Sequence, residues 1–210
     1  MTIGQHSYDF DDTLQLTDSS KAKGGTATLT FSHFPDSVEE FQTLQEQLLG
    51  TSPAGCLALN LLAYEMFRRN REIGEACIRL CNTPANASAT LRMLKEKFSQ
   101  VRHDASDHDT YHQPYLVASF LKEATQTNGY QPEEPYTLTF YLSDNPNTRQ
   151  HERSSLLSGF LYRISIRRNG TQEREATVLV PDGEMVVLAH NTSNFYVAVP
   201  PVKKWDDTLK

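Results

Sequence analysis

Residues 52–71, SPAGCLALNLLAYEMFRRNR, constrain the fold more than any other stretch of the chain. Ser52 suits a helix cap, because its hydroxyl takes an orphan N–H, and Pro53 suits the first helical position, where no N–H is needed. Leu57, Ala58, Leu59, Leu61, Leu62, Ala63, Met66 and Phe67 leave almost no face polar. A helix apolar nearly all round has to be covered on most sides by other elements. The pattern therefore predicts a buried central helix. Its polar exceptions form a line, because Asn60, Tyr64 and Arg68 recur at i, i+4 and i+8. Glu65 and Arg69 are spaced to pair at i, i+4. The apolar run is too interrupted to span a bilayer, which takes about 20 apolar residues.

The elements around this helix change character along the chain. Residues 1–25 are rich in Asp, Ser, Thr and Gly and are expected to be weakly ordered. Residues 26–33 (TATLTFSH) alternate as a strand. Ser37 to Glu40 (SVEE) has the spacing of a capping box and opens a helix that Gly50 closes. Beyond the central helix, a helical run covers residues 72–81, and residues 68–71 are either a turn or a continuation. Ser88 is expected to cap the next helix, and Pro114 to open a short one. From residue 136 the period shifts to two: strands are expected at 136–142, 160–168, 176–180, 184–190 and 194–199. Helices followed by strands indicate an α+β fold. We expect a helical block of four to five helices preceded by a strand, then a mainly antiparallel β part, as a small barrel or a curved sheet. The expected division is a weakly ordered segment at 1–25, a mainly helical block at 26–142, a linker at 143–158 and the β part at 159–205. Thr28-Leu-Thr-Phe31 recurs as Thr137-Leu-Thr-Phe140, compatible with two strands that flank the helices and pair.

Composition sets the outer limits. A chain of 210 residues buries enough surface for a core without staples. The net charge of -6 argues against nonspecific nucleic-acid binding. Mean hydropathy is -0.52, that of a polar globular chain. Three cysteines, Cys56, Cys77 and Cys81, are too few and too helical in placement for a disulfide framework. The first residues lack the basic and apolar regions of a secretory signal, so a cytoplasmic location is expected.

Four segments carry a resemblance. SPAG before the central helix, RRNREIGEACIRLCNTPANAS, PYLVASFLKEAT and NGYQPEEPY together resemble an uncharacterised bacterial family of unknown function, over roughly residues 25 to 200. The resemblance implies a bacterial cytoplasmic protein and supplies no activity, cofactor or catalytic residue.

The candidate sites each stand beside an ordinary structural reading. His103, His108 and His112 lie among Asp104, Asp107 and Asp109. His108 and His112 would share a helical face and hold one metal, although a solvated loop has the same composition. Cys56 follows Gly55 near a helix start, where a thiol pKa falls, yet small buried thiols are the commoner case. Arg68, Arg69 and Arg71 suit an anion, or simply the C-terminus of their own helix. Tyr130 and Tyr136 sit in a proline-stiffened connector that suits either a ligand or the seam between helices and strands. No phosphate loop or nucleophile elbow occurs. The leading expectation is a non-enzymatic interaction or ligand-binding module that uses Asn60, Tyr64, Arg68, Tyr130 and Tyr136. The alternative is a small metal-dependent hydrolase on the His103–His112 loop. No cofactor is implied. The expected partner is a protein or small ligand, not nucleic acid or a membrane, with a homodimer as a further possibility through exposed strand edges.

Overall fold

The computed structural model describes residues 1–14, 25–98, 114–142, 151–154, 159–167, 173–181 and 187–191. It has an α+β fold. Three strands come first: β1 (Thr2–Ile3), β2 (His6–Asp12) and β3 (Ala27–Phe31). The helical block follows, with α1 (Val38–Leu44) running into a π-helical turn (Gln45–Leu49), then α2 (Pro53–Arg69), α3 (Arg71–Leu80) and α4 (Pro84–Lys97). The chain returns to strands with β4 (Tyr136–Leu142), β5 (His151–Arg153), β6 (Gly159–Arg167), β7 (Glu173–Pro181) and β8 (Val187–Asn191).

All eight strands among the described residues belong to one sheet, in the order β1-β2-β3-β4-β6-β7-β8, with β5 paired to β6. Every pairing is antiparallel. The sheet is open rather than a barrel among the described residues, since β1 and β8 end the order without pairing to each other. The repeated Thr-Leu-Thr motif pairs with itself: Thr28 faces Thr139, Leu29 faces Leu138 and Thr30 faces Thr137. The threonines are half-buried and the leucines fully buried, as a period of two requires when one face meets the core. The strand expected at 194–199 lies outside the described residues.

Residues 2–12, expected as part of a weakly ordered segment, form β1 and β2. Tyr8 is buried and Phe10 half-buried, while Ser7, Asp9 and Asp11 are exposed. The alternation is that of a strand, and the density of aspartates on the outer face obscures it in the sequence.

The central helix is covered as its composition demands. Every residue of α2 from Pro53 to Phe67 is buried. It packs on α3 and the π-helical turn on one side and on β3, β4, β6, β7 and β8 on the other. Ser52 Oγ accepts the Gly55 N–H at 3.2 Å, and Pro53 takes the first turn. The junction at 68–71 is a break, made by Asn70. Its backbone is extended (φ -142°, ψ 109°), so it ends α2. Its side chain accepts the N–H groups of Glu72 and Ile73, so it also begins α3.

Two helix starts differ from expectation. Helix α4 is capped by Thr83, with Pro84 in its first turn, and Ser88 instead bonds back to the Pro84 carbonyl at 3.1 Å. Both residues are good cap types, and the proline decides between them. Residues 114–124 form turns and a single 3-10 segment (Ala118–Phe120) rather than a helix. Leu121 turns to extended backbone (ψ 145°), and Lys122 N–H bonds to Thr137 of β4 at 2.9 Å, so this stretch is drawn onto the sheet. Among the described residues no helix is long and apolar enough to cross a membrane.

Helices α2 and α3 meet at Gly74. A methyl group there would overlap the N, Cα and Cβ of Phe67, which are fixed by helix α2. Gly74→Ala is expected to cost about 3 kcal/mol or to prevent folding, because overpacking against backbone has no cheap relief. Urea denaturation of the variant against the parent chain measures it, and a loss under about 0.5 kcal/mol would contradict this packing.

Candidate functional site

Ionisable side chains from three elements and a connector converge at one end of the sheet. The register that sets Tyr8 opposite Phe31 brings His6 of β2 beside His33, just past β3, and the two imidazoles stack with centroids 4.9 Å apart. Glu40 of α1 reaches into the same place. Its Oε1 accepts from the Tyr8 hydroxyl at 2.8 Å and from His6 Nδ1 at 2.7 Å. A carboxylate only accepts, so His6 Nδ1 is the donor in this contact. Oε2 of Glu40 accepts the Asp36 N–H at 2.9 Å. Ser37 caps α1 through the Glu40 N–H, but the Glu40 side chain passes beyond the cap residue, so half of the expected capping box is diverted into this cluster. The exposed Asp36 carboxylate stands 3.6 Å from His6 Nε2. Burial, followed by the Glu40 hydrogen bond and charge, pushes the Tyr8 phenol well above its ordinary pKa. His33 Nδ1 is buried without a hydrogen-bond partner.

An aromatic floor joins this cluster to the end of α2. Tyr8 stacks on Phe31, and Phe31 meets Phe34 and Tyr136 edge-on at 5.0 and 5.5 Å. The Arg69 guanidinium lies over the Phe34 ring at 4.9 Å. Arg69 and Arg68 both bind Glu65, which is fully buried, at 2.9 and 2.7 Å. A buried carboxylate is tolerable here because two guanidinium groups satisfy it.

The residues expected from sequence fall in three places. Arg68 and Tyr136 belong to this end, joined through Glu65, Arg69 and Phe34. Asn60 belongs to a ladder of buried amides. Its Nδ2 donates to the carbonyls of Cys56 and Cys81, and its Oδ1 accepts from Asn82 Nδ2 at 2.7 Å. Asn82 in turn donates to the Ile78 carbonyl and accepts from Asn86 Nδ2 at 2.6 Å, so three asparagines tie α2, α3 and α4 together. Tyr64 is buried on the same helix. Tyr130 stacks on Tyr115 at 4.9 Å in a turn organised by Asn128, whose side chain bonds Thr125, Glu123 and Gln131. His103, His108 and His112 lie outside the described residues. Among those described, no group of three or more His, Cys, Asp or Glu is arranged to hold a metal ion.

Sequence reasoning missed His6, Tyr8, His33, Asp36 and Glu40 as a group. Glu40 was visible as a cap residue and His33 as the end of a strand. Their meeting depends on which strand pairs with β3 and in what register, and no local pattern carries that information.

The three thiols are free and buried. Burial raises the pKa of Cys56 and, together with its neighbouring thiols, of Cys81. It pushes Cys77 from 9.0 to about 12. A thiol whose folded pKa is raised contributes stability that is whole below pH 9 and is lost as the pH climbs towards 12. Denaturation at stepped pH is expected to show that alkaline loss, and Cys77→Ala to lessen it. An unchanged slope in the variant would contradict the assignment. For the amide ladder, Asn82→Ala removes the donor to Asn60 and the acceptor of Asn86 and is expected to cost about 2–3 kcal/mol by chemical denaturation.

No curated protein and no solved structure matches the chain. One family model does, a domain of unknown function (DUF6935), which matches residues 33–203. That span takes in the helical block, β4 to β8, and His33, Asp36, Glu40, Glu65, Arg68 and Arg69 of the cluster. With most of its length matched, the chain belongs to the DUF6935 family.

Proposed function

We propose that this chain is a non-enzymatic interaction or ligand-binding module, and that it binds at the end of the sheet where Glu40 of α1 reaches His6 and Tyr8 and the aromatic floor runs on to Arg69 of α2 and Tyr136 of β4. The observation that supports this reading is the convergence of His6, His33, Asp36, Glu40, Arg68 and Arg69 around one aromatic floor. Polar groups of both signs beside a rigid aromatic base give orientation and contact area together. The chemistry suits a ligand with hydrogen-bonding groups, whether a small molecule or a loop of a partner protein. Of the residues expected from sequence, Arg68 and Tyr136 take part directly, while Asn60 ties the same helix to its neighbours and Tyr64 is buried on it. The three unpaired thiols favour a reducing, cytoplasmic setting.

A panel of polar aromatic and carboxylate metabolites, screened by amide chemical shifts of the labelled full chain, tests the reading. Shifts are expected to concentrate on residues 6, 33–40 and 65–69, and His33→Ala is expected to weaken the hit about tenfold, the equivalent of one good hydrogen bond. Hits that map elsewhere, or that bind His33→Ala unchanged, would sink the proposed location.

A further inference from the structure

Strand β2 is attached differently from the strand it pairs with. Of its seven residues only Tyr8 is fully buried. Its neighbour β3 buries Ala27, Leu29 and Phe31 completely. On its other side, among the described residues, β2 has only β1, two residues long. Two polar pins hold its ends. At the start, His6 and Tyr8 both donate to Glu40 Oε1 of α1, at 2.7 and 2.8 Å. At the far end, the Asp12 carboxylate accepts from the hydroxyl of Ser52, the cap of α2. Tyr8 is the one fully buried side chain of β2 and Phe10 only half-buried against the core, so the strand, held largely by polar attachments, opens at lower free energy than the core it lies on. Beneath it, β3 has an apolar inner row and main-chain groups that pair with β2 on that side. Such an edge accepts another strand once bared.

We infer that β2 is a detachable strap, which opens as a unit ahead of the core and bares the edge of β3 to the β2 strand of a second copy of this chain. Fit identifies the occupant. The edge already matches this sequence in register, with Tyr8 opposite Phe31 and Phe10 opposite Leu29. Glu40 and Ser52 then receive the same pins from the incoming strand, so the exchange keeps each bond while joining two chains. The strap lies ahead of the segment that matches the family model. The inference shares His6 and Glu40 with the proposed binding site, but it rests on how β2 is held and its test needs no ligand.

Hydrogen exchange of the full chain, read by mass spectrometry, tests the opening. Peptides covering residues 1–12 are expected to exchange at least about tenfold faster than those covering 136–142. The double variant His6→Ala with Tyr8→Phe removes one pin while leaving α1 and α2 untouched. It is expected to speed exchange of 1–12 by about tenfold more, with 136–142 unchanged. Tyr8→Phe alone, which keeps the ring in place, preserves the test if the double variant loses its helical circular dichroism. A fluorescein-labelled peptide of residues 5–13, with His6 and Tyr8 intact, then probes the bared edge. By anisotropy it is expected to bind the pin-deficient chain at least about tenfold more tightly than the parent. A common exchange rate for 1–12 and 136–142 in both proteins would overturn the strap. Failure of the peptide to bind a variant whose strap exchange has risen would overturn the strand-accepting edge.

Discussion

Burial of α2 on nearly all sides is the constraint from which the architecture follows. A helix with one apolar stripe needs one neighbour, but a rod apolar from Pro53 to Phe67 needs a layer on each side. The α3 helix and the π-helical turn supply one layer and the sheet supplies the other. The close approach at Gly74 makes the first layer tight. The polar residues on the rod are then obliged to find partners inside, and they do so at two levels. Asn60 meets Asn82 at the middle of the helix, and Glu65 meets Arg68 and Arg69 near its end.

The two levels differ in kind. The amide ladder is neutral and buried, anchored on main-chain carbonyls, and it fixes how three helices sit against one another. The charged end opens toward the surface, where Arg68 and Arg69 are partly exposed and an aromatic floor continues into the His6–Glu40 cluster. Ligand recognition needs groups that are held firmly yet reachable, and only the second level offers both. That contrast, more than any single side chain, directs the functional proposal to the end of the helix.

Much of the fold was legible because its signals are local. The cap at Ser52, the apolar run of α2 and the Thr-Leu-Thr alternation each state a conformation within a few residues. The line Asn60–Tyr64–Arg68 was legible as a line, but not its division between a buried ladder and a charged end, because i, i+4 spacing says which face residues share and not what meets that face. Strand β2 was hidden for a related reason. Its outward positions are aspartates, which depress any reading of order, while its order comes from pairing with β3. The His6–Glu40 cluster was hidden twice over, since it needs both that pairing and the docking of α1. Asn70 is the opposite case: a single residue whose side chain caps one helix and whose backbone ends another, so the sequence around it fits either a turn or a continuous helix.

The pairing of β3 with β4 has a consequence for how the chain reaches this structure. Phe31 and Tyr136 are neighbours in the sheet but about a hundred residues apart in sequence, with the whole helical block between them. Closing so long a loop costs conformational entropy that no local contact returns. The β6–β7 pair and the α2–α3–α4 succession involve near neighbours and can form early, whereas β3 and β4 gain their partner only after the helices have collapsed enough to bring the two ends together. Sequence separation thus favours assembly of the sheet from its periphery, with its central seam last. Until that seam closes, the repeated Thr-Leu-Thr segments present two unpaired edges of the same sequence, and chain concentration during folding governs whether each finds its own partner or another molecule's.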